Sequence, residues 1–239
     1  NTIQTNIDSI INQTFKDFEV IVVDNNSTDK TIEIIKSKNI PNIKFLVEDD
    51  NGIFDAINKG IKLSNNQIIS VLHSDDIYFN RDVLQDVIDS FREDLNNDII
   101  YGDLIYVKKK NLNSILRYWK PGKYFNNSFY KGWHPPHPSF FAKKILFERY
   151  GYYNLENGNS SDVELMFRFL EINRVKSKYI NKTFVKMRYG GASNKNIVSI
   201  IKQNIQILRF LKINKKVHKI LIFILYKFLN RLKQFVIKQ

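Results

Sequence analysis

The chain has 239 residues, 43% of them hydrophobic, which suffices to bury the core of one large domain or two small ones. It contains no cysteine, so disulfide bonds and thiolate metal sites are excluded. The formal net charge is +13, and residues 172–239 hold 17 Lys and Arg but no Asp or Glu. This basic segment predicts an anionic partner, either a membrane surface or nucleic acid.

Helix and strand patterns alternate in the first part of the chain. The order is helix, strand, helix, strand, helix, strand, at residues 3–11, 18–24, 25–37, 43–48, 53–61 and 67–73. Ser27 or Thr28 is expected to cap the second helix. The alternation predicts βα units and a largely parallel sheet.

The later part predicts a hairpin, an ordered loop and further helices. The patterns indicate a helix at 81–92, a hairpin of 98–107 with 113–119, an aromatic and Pro-rich loop at 120–141, helices at 142–150 and 161–172, and a basic helical tail from about 197. Ordered loops on a rigid scaffold often carry specificity.

Acidic residues follow three of the predicted strands. Asp24, the run 48–50, and the pair Asp75 and Asp76 stand at the carboxyl ends, where open α/β sheets bind ligands. Adjacent aspartates suit a hard divalent cation, which would neutralise a diphosphate. Each cluster alone is also consistent with ordinary loop and cap residues, but three at successive strand ends favour a site.

Seven motifs occur together in one order. They are SIINQTFKDFEVIVVDNNSTDKT (9–31), EDDNGIFDAINKGI (48–61), VLHSDDIYF (71–79), IIYGD (99–103), HPSFFAKKILFERYGYYN (137–154), SSDVELMFRF (160–169) and MRYGGAS (187–193). In this order they resemble the inverting family 2 glycosyltransferases with the nucleotide-diphospho-sugar (GT-A) fold, especially the bacterial surface-polysaccharide branch. Each motif alone would be weak.

The resemblance implies an α/β fold, with a mixed, mostly parallel sheet flanked by helices. It also implies a central first strand before Thr2 that this sequence does not contain. We therefore expect residues 1–195 to form an N-terminally truncated GT-A domain that binds nucleotide poorly. Residues 196–239 are expected to form a basic amphipathic helical tail.

The resemblance also implies a donor site for a nucleotide-diphospho-sugar, with a UDP-sugar as the default. Asp24 is similar to the acid that contacts the nucleotide base. A second stretch is expected to line the same pocket, through Asp50, Asn51 and Gly52.

The pair at the third strand end resembles the DXD-type metal site of the family. Asp75 would face the sugar and ribose and assist with the metal, and Asp76 would ligate Mn²⁺ or Mg²⁺ at the diphosphate. His73 stands where many members have Asp or Asn. It is either a further metal ligand or a polar residue that closes the strand.

Asp162 resembles the catalytic base of the family. The sequence SSDVELMF also begins a helix well, so an Asp there would equally cap backbone amides, and the residues alone leave both roles open. The Gln-x-x-Arg-Trp motif of processive members is absent after Asp162, which favours addition of a single sugar.

Residues of the loop at 120–141 are candidates for the acceptor side. His137 matches a position that the family often fills with histidine, and Trp133 offers a stacking surface for a sugar. His134 and His137 are three residues apart, but the prolines between them prevent a regular helix that would pair them on a metal. Buried loop anchors are the ordinary alternative for the aromatic residues.

The tail at 197–239 mixes Lys and Arg with apolar residues. Its longest apolar run, 220–226, is shorter than the roughly 20 residues that span a bilayer. A basic amphipathic helix on an anionic membrane fits this pattern, which places the protein in the cytoplasm, peripheral on the inner face of the cell membrane. The alternative is a helix that packs on the domain or on a second subunit.

The predicted activity is therefore metal-dependent, inverting transfer of one sugar to a saccharide or lipid-linked saccharide, in bacterial surface-glycan synthesis. Two other interpretations compete with it. A sugar-nucleotide nucleotidyltransferase leaves Asp162 unexplained, and an anion-binding module that grips nucleic acid lacks a groove-reading motif. We expect no nucleic-acid partner.

Overall fold

The computed structural model describes residues 2–190, 197–211 and 217–236. The helices in these ranges are α1 Thr2–Ile11, α2 Thr31–Lys36, α3 Ile53–Leu63, α4 Val83–Glu93, α5 Lys144–Tyr150, α6 Ser161–Phe167, α7 Ile197–Phe210 and α8 Val217–Val236. The strands are β1 Val20–Asp24, β2 Ile43–Val47, β3 Ile68–Ser70, β4 Ile77–Tyr78, β5 Ile99–Lys108, β6 Asn111–Trp119, β7 Phe140–Lys143 and β8 Ser177–Arg188.

The first two strands form a parallel pair between helices. Val20 pairs with Ile43, and the register continues to Asp24 and Val47. Apolar faces of α1 and α2 pack with these strands around Ile7 and Ile35. The predicted helix–strand alternation is confirmed here. It follows from the short apolar runs that are typical of parallel strands, although most side chains of β1 and β2 are only partly buried.

A larger mixed sheet forms the rest of the α/β body. Its order is β3-β7-β5-β8-β4, and β6 adds to β5 as the predicted hairpin partner. In this sheet only β5 and β8 run parallel among the described pairs. Fewer strand pairs are therefore parallel than predicted. The reason is that β7, which follows the Pro-rich loop, pairs antiparallel with both β3 and β5.

The main core lies between this sheet and the later helices. Leu165 and Met166 of α6 are fully buried, and the following π-helical turn, Arg168–Ile172, buries Phe169. Each such side chain contributes about 1.5–3 kcal/mol through burial.

The last two helices pack on the same core. Ile207 of α7 and Phe223 of α8 belong to it. The alternative considered for the tail, a helix that packs on the domain, is thus observed for one face of α8. The predicted boundary between residues 195 and 196 lies outside the described residues, as does the end of the 187–193 motif. Among the described helices, none is both long and apolar enough to cross a bilayer.

Candidate active site

One large cavity reaches both halves of the fold. Its volume is about 1390 Å³. Its lining includes apolar residues of β1 and β3 as well as many polar residues. The polar lining includes most of the predicted metal, catalytic and acceptor residues, namely His73, Asp75, Trp133, His137 and Asp162. It also includes side chains that the sequence had not singled out, among them Arg117, Arg188, Lys227 and Arg231.

The two predicted nucleotide-binding stretches lie next to each other, outside the cavity lining. Asp24 ends β1 and is almost fully buried; its two carboxylate oxygens accept from the Ser27 backbone N–H and hydroxyl, each at 2.7 Å. The Asp50 backbone N–H lies 3.3 Å from Asn25 Oδ1, which joins the loops. The predicted cap at Ser27 or Thr28 is wrong, because α2 starts after Lys30 and Ser27 bonds to Asp24 instead.

The loop Asp50–Gly52 has a tight local geometry before α3. Asp50 Oδ1 accepts from the Gly52 N–H at 2.8 Å, and the Asn51 N–H donates to Asp55 Oδ2 at 3.0 Å. Gly52 has φ of +106°, which favours glycine. Asn51 and Gly52 are exposed.

Arg188 fixes the loop that carries Asp75. Its guanidinium donates to the Asp75 backbone carbonyl and to the Thr5 hydroxyl. Asn6 of α1 adds bonds to the carbonyls of His73 and Asp76, at 2.8 and 2.7 Å. The loop is therefore held from α1 and β8, and it directs His73 and Asp75 to the cavity.

The Asp76 side chain lies behind this loop, fully buried and apart from the cavity lining, and its role as a direct metal ligand stays a prediction. Neither carboxylate oxygen has a hydrogen-bond partner among the described residues. Burial raises the pKa of Asp76 to about 8, and the Asp75 charge adds to the rise. An unpartnered buried carboxyl group is costly, and it fits a nearby cation.

The donor atoms at this loop fit a divalent cation that also uses substrate oxygens. In the described part of the chain, no three His, Asp or Glu side chains form a ready metal cluster. Mg²⁺ is often held by one or two carboxylates together with substrate phosphates. Asp75 supplies a carboxylate on the cavity wall, and burial lowers the pKa of His73, which favours the neutral imidazole that metals bind.

A buried histidine–tyrosine pair continues the wall. His137 Nε2 lies 2.7 Å from the Tyr153 hydroxyl, and the His137 ring is 5.6 Å from the His73 ring between centroids. Burial lowers the pKa of His137 to about 3, so its imidazole is neutral at pH 7. Phe54 stacks on Tyr153 at 5.3 Å. His137 is thus an anchored, uncharged hydrogen-bonding group.

The aromatic loop holds Trp133 beside the cavity. Trp133 Nε1 donates to the Pro121 carbonyl at 2.6 Å, and the ring packs edge-on against buried Phe129 at 5.4 Å. Trp133 therefore both lines the cavity and anchors the loop. Burial lowers the pKa of neighbouring His134 to about 3.

Asp162 occupies the first turn of α6 and faces the cavity. Its Oδ1 accepts from the Val163 N–H at 2.8 Å. Burial raises the pKa of Asp162 to about 6, although hydrogen bonds from backbone N–H groups and the charge of Lys227 act to lower it. At pH 7 the group is mainly a carboxylate with increased basicity, which suits a general base.

Helix α8 closes the cavity near Asp162. Lys227 Nζ donates to Asn204 Oδ1 at 2.6 Å, and Arg231 follows one turn later on the same lining. Burial lowers the pKa of Lys227 to about 8, although the Asp162 charge acts to raise it. Neither residue could be assigned to the site from the sequence, because their i, i+4 spacing shows only that they share a helix face and not where that helix packs.

The family model described as Glycosyl transferase family 2 matches residues 1–150. A PGL/p-HBAD biosynthesis glycosyltransferase of Mycobacterium tuberculosis is 29% identical over 192 residues, covering 79% of this chain and 72% of the relative. A chondroitin synthase of Escherichia coli is 34% identical over 97 residues, covering 40% of this chain and 14% of the synthase.

Solved structures share the fold. S. aureus TarS 1–349 in complex with UDP-GlcNAc has a TM-score of 0.62 and 19% identity, covering 92% of this chain and 66% of that one. A mannosyltransferase from Pyrobaculum calidifontis, in complex with GDP-Man and Mn²⁺, has a TM-score of 0.62 and 16% identity. The match covers 88% of this chain and 59% of the mannosyltransferase chain. The chain spans 40% of a longer TarS chain.

Proposed function

The chain belongs to glycosyl transferase family 2, and on that premise we propose that it transfers a single sugar from a nucleotide-diphospho-sugar, with inversion, to a saccharide or lipid-linked saccharide. We take a UDP-sugar as the donor and bacterial surface-glycan synthesis as the setting. The observation that carries the proposal is that Asp75, on the loop after β3, and Asp162, in the first turn of α6, line one cavity.

The proposed donor half comprises the loops after β1, β2 and β3. Asp24, Asp50, Asn51 and Gly52 would meet the nucleotide, since their loops are joined by hydrogen bonds. Asp75 and His73 would hold Mn²⁺ or Mg²⁺ beside the buried Asp76. When bound, the cation supplies electrostatic stabilisation of the leaving diphosphate.

The proposed acceptor half comprises α6 and the aromatic loop. Asp162 accepts the proton of the acceptor hydroxyl as the hydroxyl oxygen bonds to the anomeric carbon and the bond from that carbon to the diphosphate oxygen breaks. A positioned general base contributes roughly 10²–10⁴-fold. His137 is neutral and held by Tyr153, so it can donate or accept one hydrogen bond to an acceptor without adding charge. Trp133 would give the sugar an apolar face.

We also propose that the outer face of α8 binds an anionic membrane, at the cytoplasmic side. While Phe223 is buried, eight apolar side chains of the helix are 41–62% exposed, namely Leu221, Ile222, Ile224, Leu225, Phe228, Leu229, Leu232 and Phe235. A contiguous apolar face flanked by Lys and Arg is the pattern of helices that lie in a lipid interface. A lipid-linked acceptor would then be delivered beside Asp162.

A donor panel tests the proposal. We would incubate the protein with nucleotide sugars, with and without Mn²⁺, and measure nucleoside diphosphate release with membrane extract as the acceptor source. We expect metal-dependent release from one donor, lost in Asp75→Asn. Asp76→Asn is the paired variant. We expect it to reduce the Mn²⁺-dependent release less than Asp75→Asn does, since the Asp76 side chain lies behind the loop. Release that is independent of metal in all variants would contradict the donor assignment.

A further inference from the structure

Arg117 of β6 lies in an aromatic setting that holds its guanidinium in one place. The guanidinium carbon is 4.2 Å from the Tyr106 ring centroid, 5.7 Å from that of Trp119 and 5.8 Å from that of Phe235 on α8. Arg117 is 6% exposed and lines the cavity. Its Nε is buried and has no hydrogen-bond partner in the ranges that the structure describes.

Two more cations converge on this part of the cavity. Lys227 and Arg231 of α8 line the same cavity at successive one-turn spacings before Phe235, which contacts Arg117, and the charge of Arg231 acts to lower the pKa of both Arg117 and Lys227. Like charges so placed repel one another. Within the described residues, the salt bridges give no carboxylate partner to any of the three.

We propose that Arg117, Lys227 and Arg231 form a phosphate-binding subsite where α8 meets the cavity. None of the three forms a salt bridge among the described residues, and the Asp162 charge, which acts on Lys227, offsets only part of their positive charge, so the cluster favours a multivalent anion. Guanidinium groups present paired donors that match phosphate oxygens. The aromatic rings keep Arg117 in place before the ligand arrives, which reduces the entropy lost on binding.

Two substrate groups have this chemistry. One is the diphosphate of the nucleotide-sugar donor, and the other is a phosphate on a lipid-linked acceptor. Lys227 and Asp162, the proposed base, line the same cavity, and the Lys227 charge acts to lower the pKa of Asp162, so we place the subsite beside the reacting end of the cavity. The choice between these sources rests on the proposed function, whereas phosphate binding itself does not.

The test is calorimetric titration of the protein with inorganic pyrophosphate at pH 7.5 and low salt, without metal. We expect Arg231→Gln and Lys227→Met to weaken binding about ten-fold or more, the effect of losing one charge-assisted hydrogen bond. Lys219→Gln removes one charge from an exposed position on the same helix and should bind as the wild type does. Arg231→Lys, which keeps the charge and loses the paired donors, should fall between.

Competition identifies the source of the phosphate. If UDP displaces pyrophosphate and Arg231→Gln weakens UDP binding by the same factor, the subsite serves the donor. If UDP and pyrophosphate bind together while geranyl diphosphate displaces pyrophosphate, the subsite serves a lipid-linked acceptor.

No binding by the wild type at millimolar pyrophosphate, or equal losses of affinity in folded Arg231→Gln and Lys219→Gln, would overturn the proposal. Because no turnover is needed, a failed transferase assay leaves this result intact.

Discussion

His137 and Tyr153 meet inside the cavity wall, with 2.7 Å between the imidazole Nε2 and the phenol oxygen. The contact joins the loop before β7 to the segment after α5. Asn58 of α3 fixes the same segment, because its Nδ2 donates to the Tyr153 carbonyl at 2.9 Å and its Oδ1 accepts from the Tyr153 N–H at 2.9 Å. The pair therefore links three parts of the chain around the proposed acceptor site.

Tyr153→Phe should destabilise the protein. The substitution leaves the buried imidazole nitrogen of His137 without its partner, which costs about 1–3 kcal/mol. Urea denaturation measures the change in the free energy of unfolding. Tyr152→Phe is the matched control, since the Tyr152 side chain makes no hydrogen bond among the described residues, and it should be near neutral. Equal stability of the two variants would contradict a structural role for the contact.

The stability effect of Asp162 should depend on pH. Its folded pKa of about 6 lies above the ordinary 3.8, so the fold favours the protonated form. Ionisation of Asp162 therefore lowers the free energy of unfolding. This loss of stability is absent below about pH 4, grows as the pH rises towards 6, and reaches its full value of up to about 3 kcal/mol above that.

Asp162→Asn should therefore have a higher melting temperature than the wild type at pH 7.5 and nearly the same one at pH 4. Thermal unfolding across this range measures the difference. Glu156→Gln, an exposed position in the preceding segment, serves as the control for loss of a carboxylate. A constant difference between Asp162→Asn and the wild type at all pH values would show that burial does not raise this pKa.

Gly132→Ala should loosen α8 from the domain. Gly132 has φ of +65°, and a Cβ there would lie 2.6 Å from Lys227 Cβ and 3.0 Å from its Cα. Gly122 has φ of +69°, and a Cβ added there would meet nothing within 4 Å, so Gly122→Ala carries the backbone strain without the clash.

We expect Gly132→Ala to lose about 1–3 kcal/mol more stability than Gly122→Ala, in the range of overpacking a tight contact. Denaturant unfolding gives the comparison. Hydrogen exchange should also show faster exchange in α8 for Gly132→Ala alone. The same loss in both variants would mean that α8 does not pack closely against this loop.

The outer face of α8 should bind anionic vesicles. Leu225→Glu and Phe228→Glu place a negative charge at positions 55% and 58% exposed, where it opposes both apolar insertion and attraction to lipid phosphates. Flotation with anionic and neutral vesicles should show loss of binding in both variants. Leu95→Glu, at a 76% exposed site far from α8 in sequence, should float as the wild type does. Equal flotation of all three variants would contradict a lipid-binding role for this face.

Much of the fold could be predicted from the sequence because its helices and central strands have strong periodic patterns. Helices α1, α3 and α4 and strands β1, β2 and β5 lie close to the predicted positions. Strands β7 and β8 were missed. The first follows a Pro-rich loop, and the second contains lysines along a strand paired on both sides, so neither has a clean apolar alternation.

Of the predicted acidic residues, Asp75 and Asp162 line the cavity, whereas Asp24, Asp50 and Asp76 do not, and the roles of all five stay predictions. The basic residues of the lining were not predicted. Asp76 is fully buried and outside the lining. The sequence does not show which of two adjacent aspartates is buried and which faces the cavity. The positions of Lys227 and Arg231 depend on how α8 packs against the domain. That packing is set by the burial of Phe223 and the close approach of Gly132 to Lys227, and no local sequence pattern shows it.

The proposed mechanism is tested most directly by the turnover rate of Asp162→Asn with the donor that the panel identifies, measured at pH 7.5 with saturating Mn²⁺. We expect a fall in kcat of roughly 10²–10⁴-fold, with donor affinity unchanged and the variant at least as stable as the wild type. A folded Asp162→Asn protein that transfers sugar at the wild-type rate would contradict the assignment of Asp162 as the base.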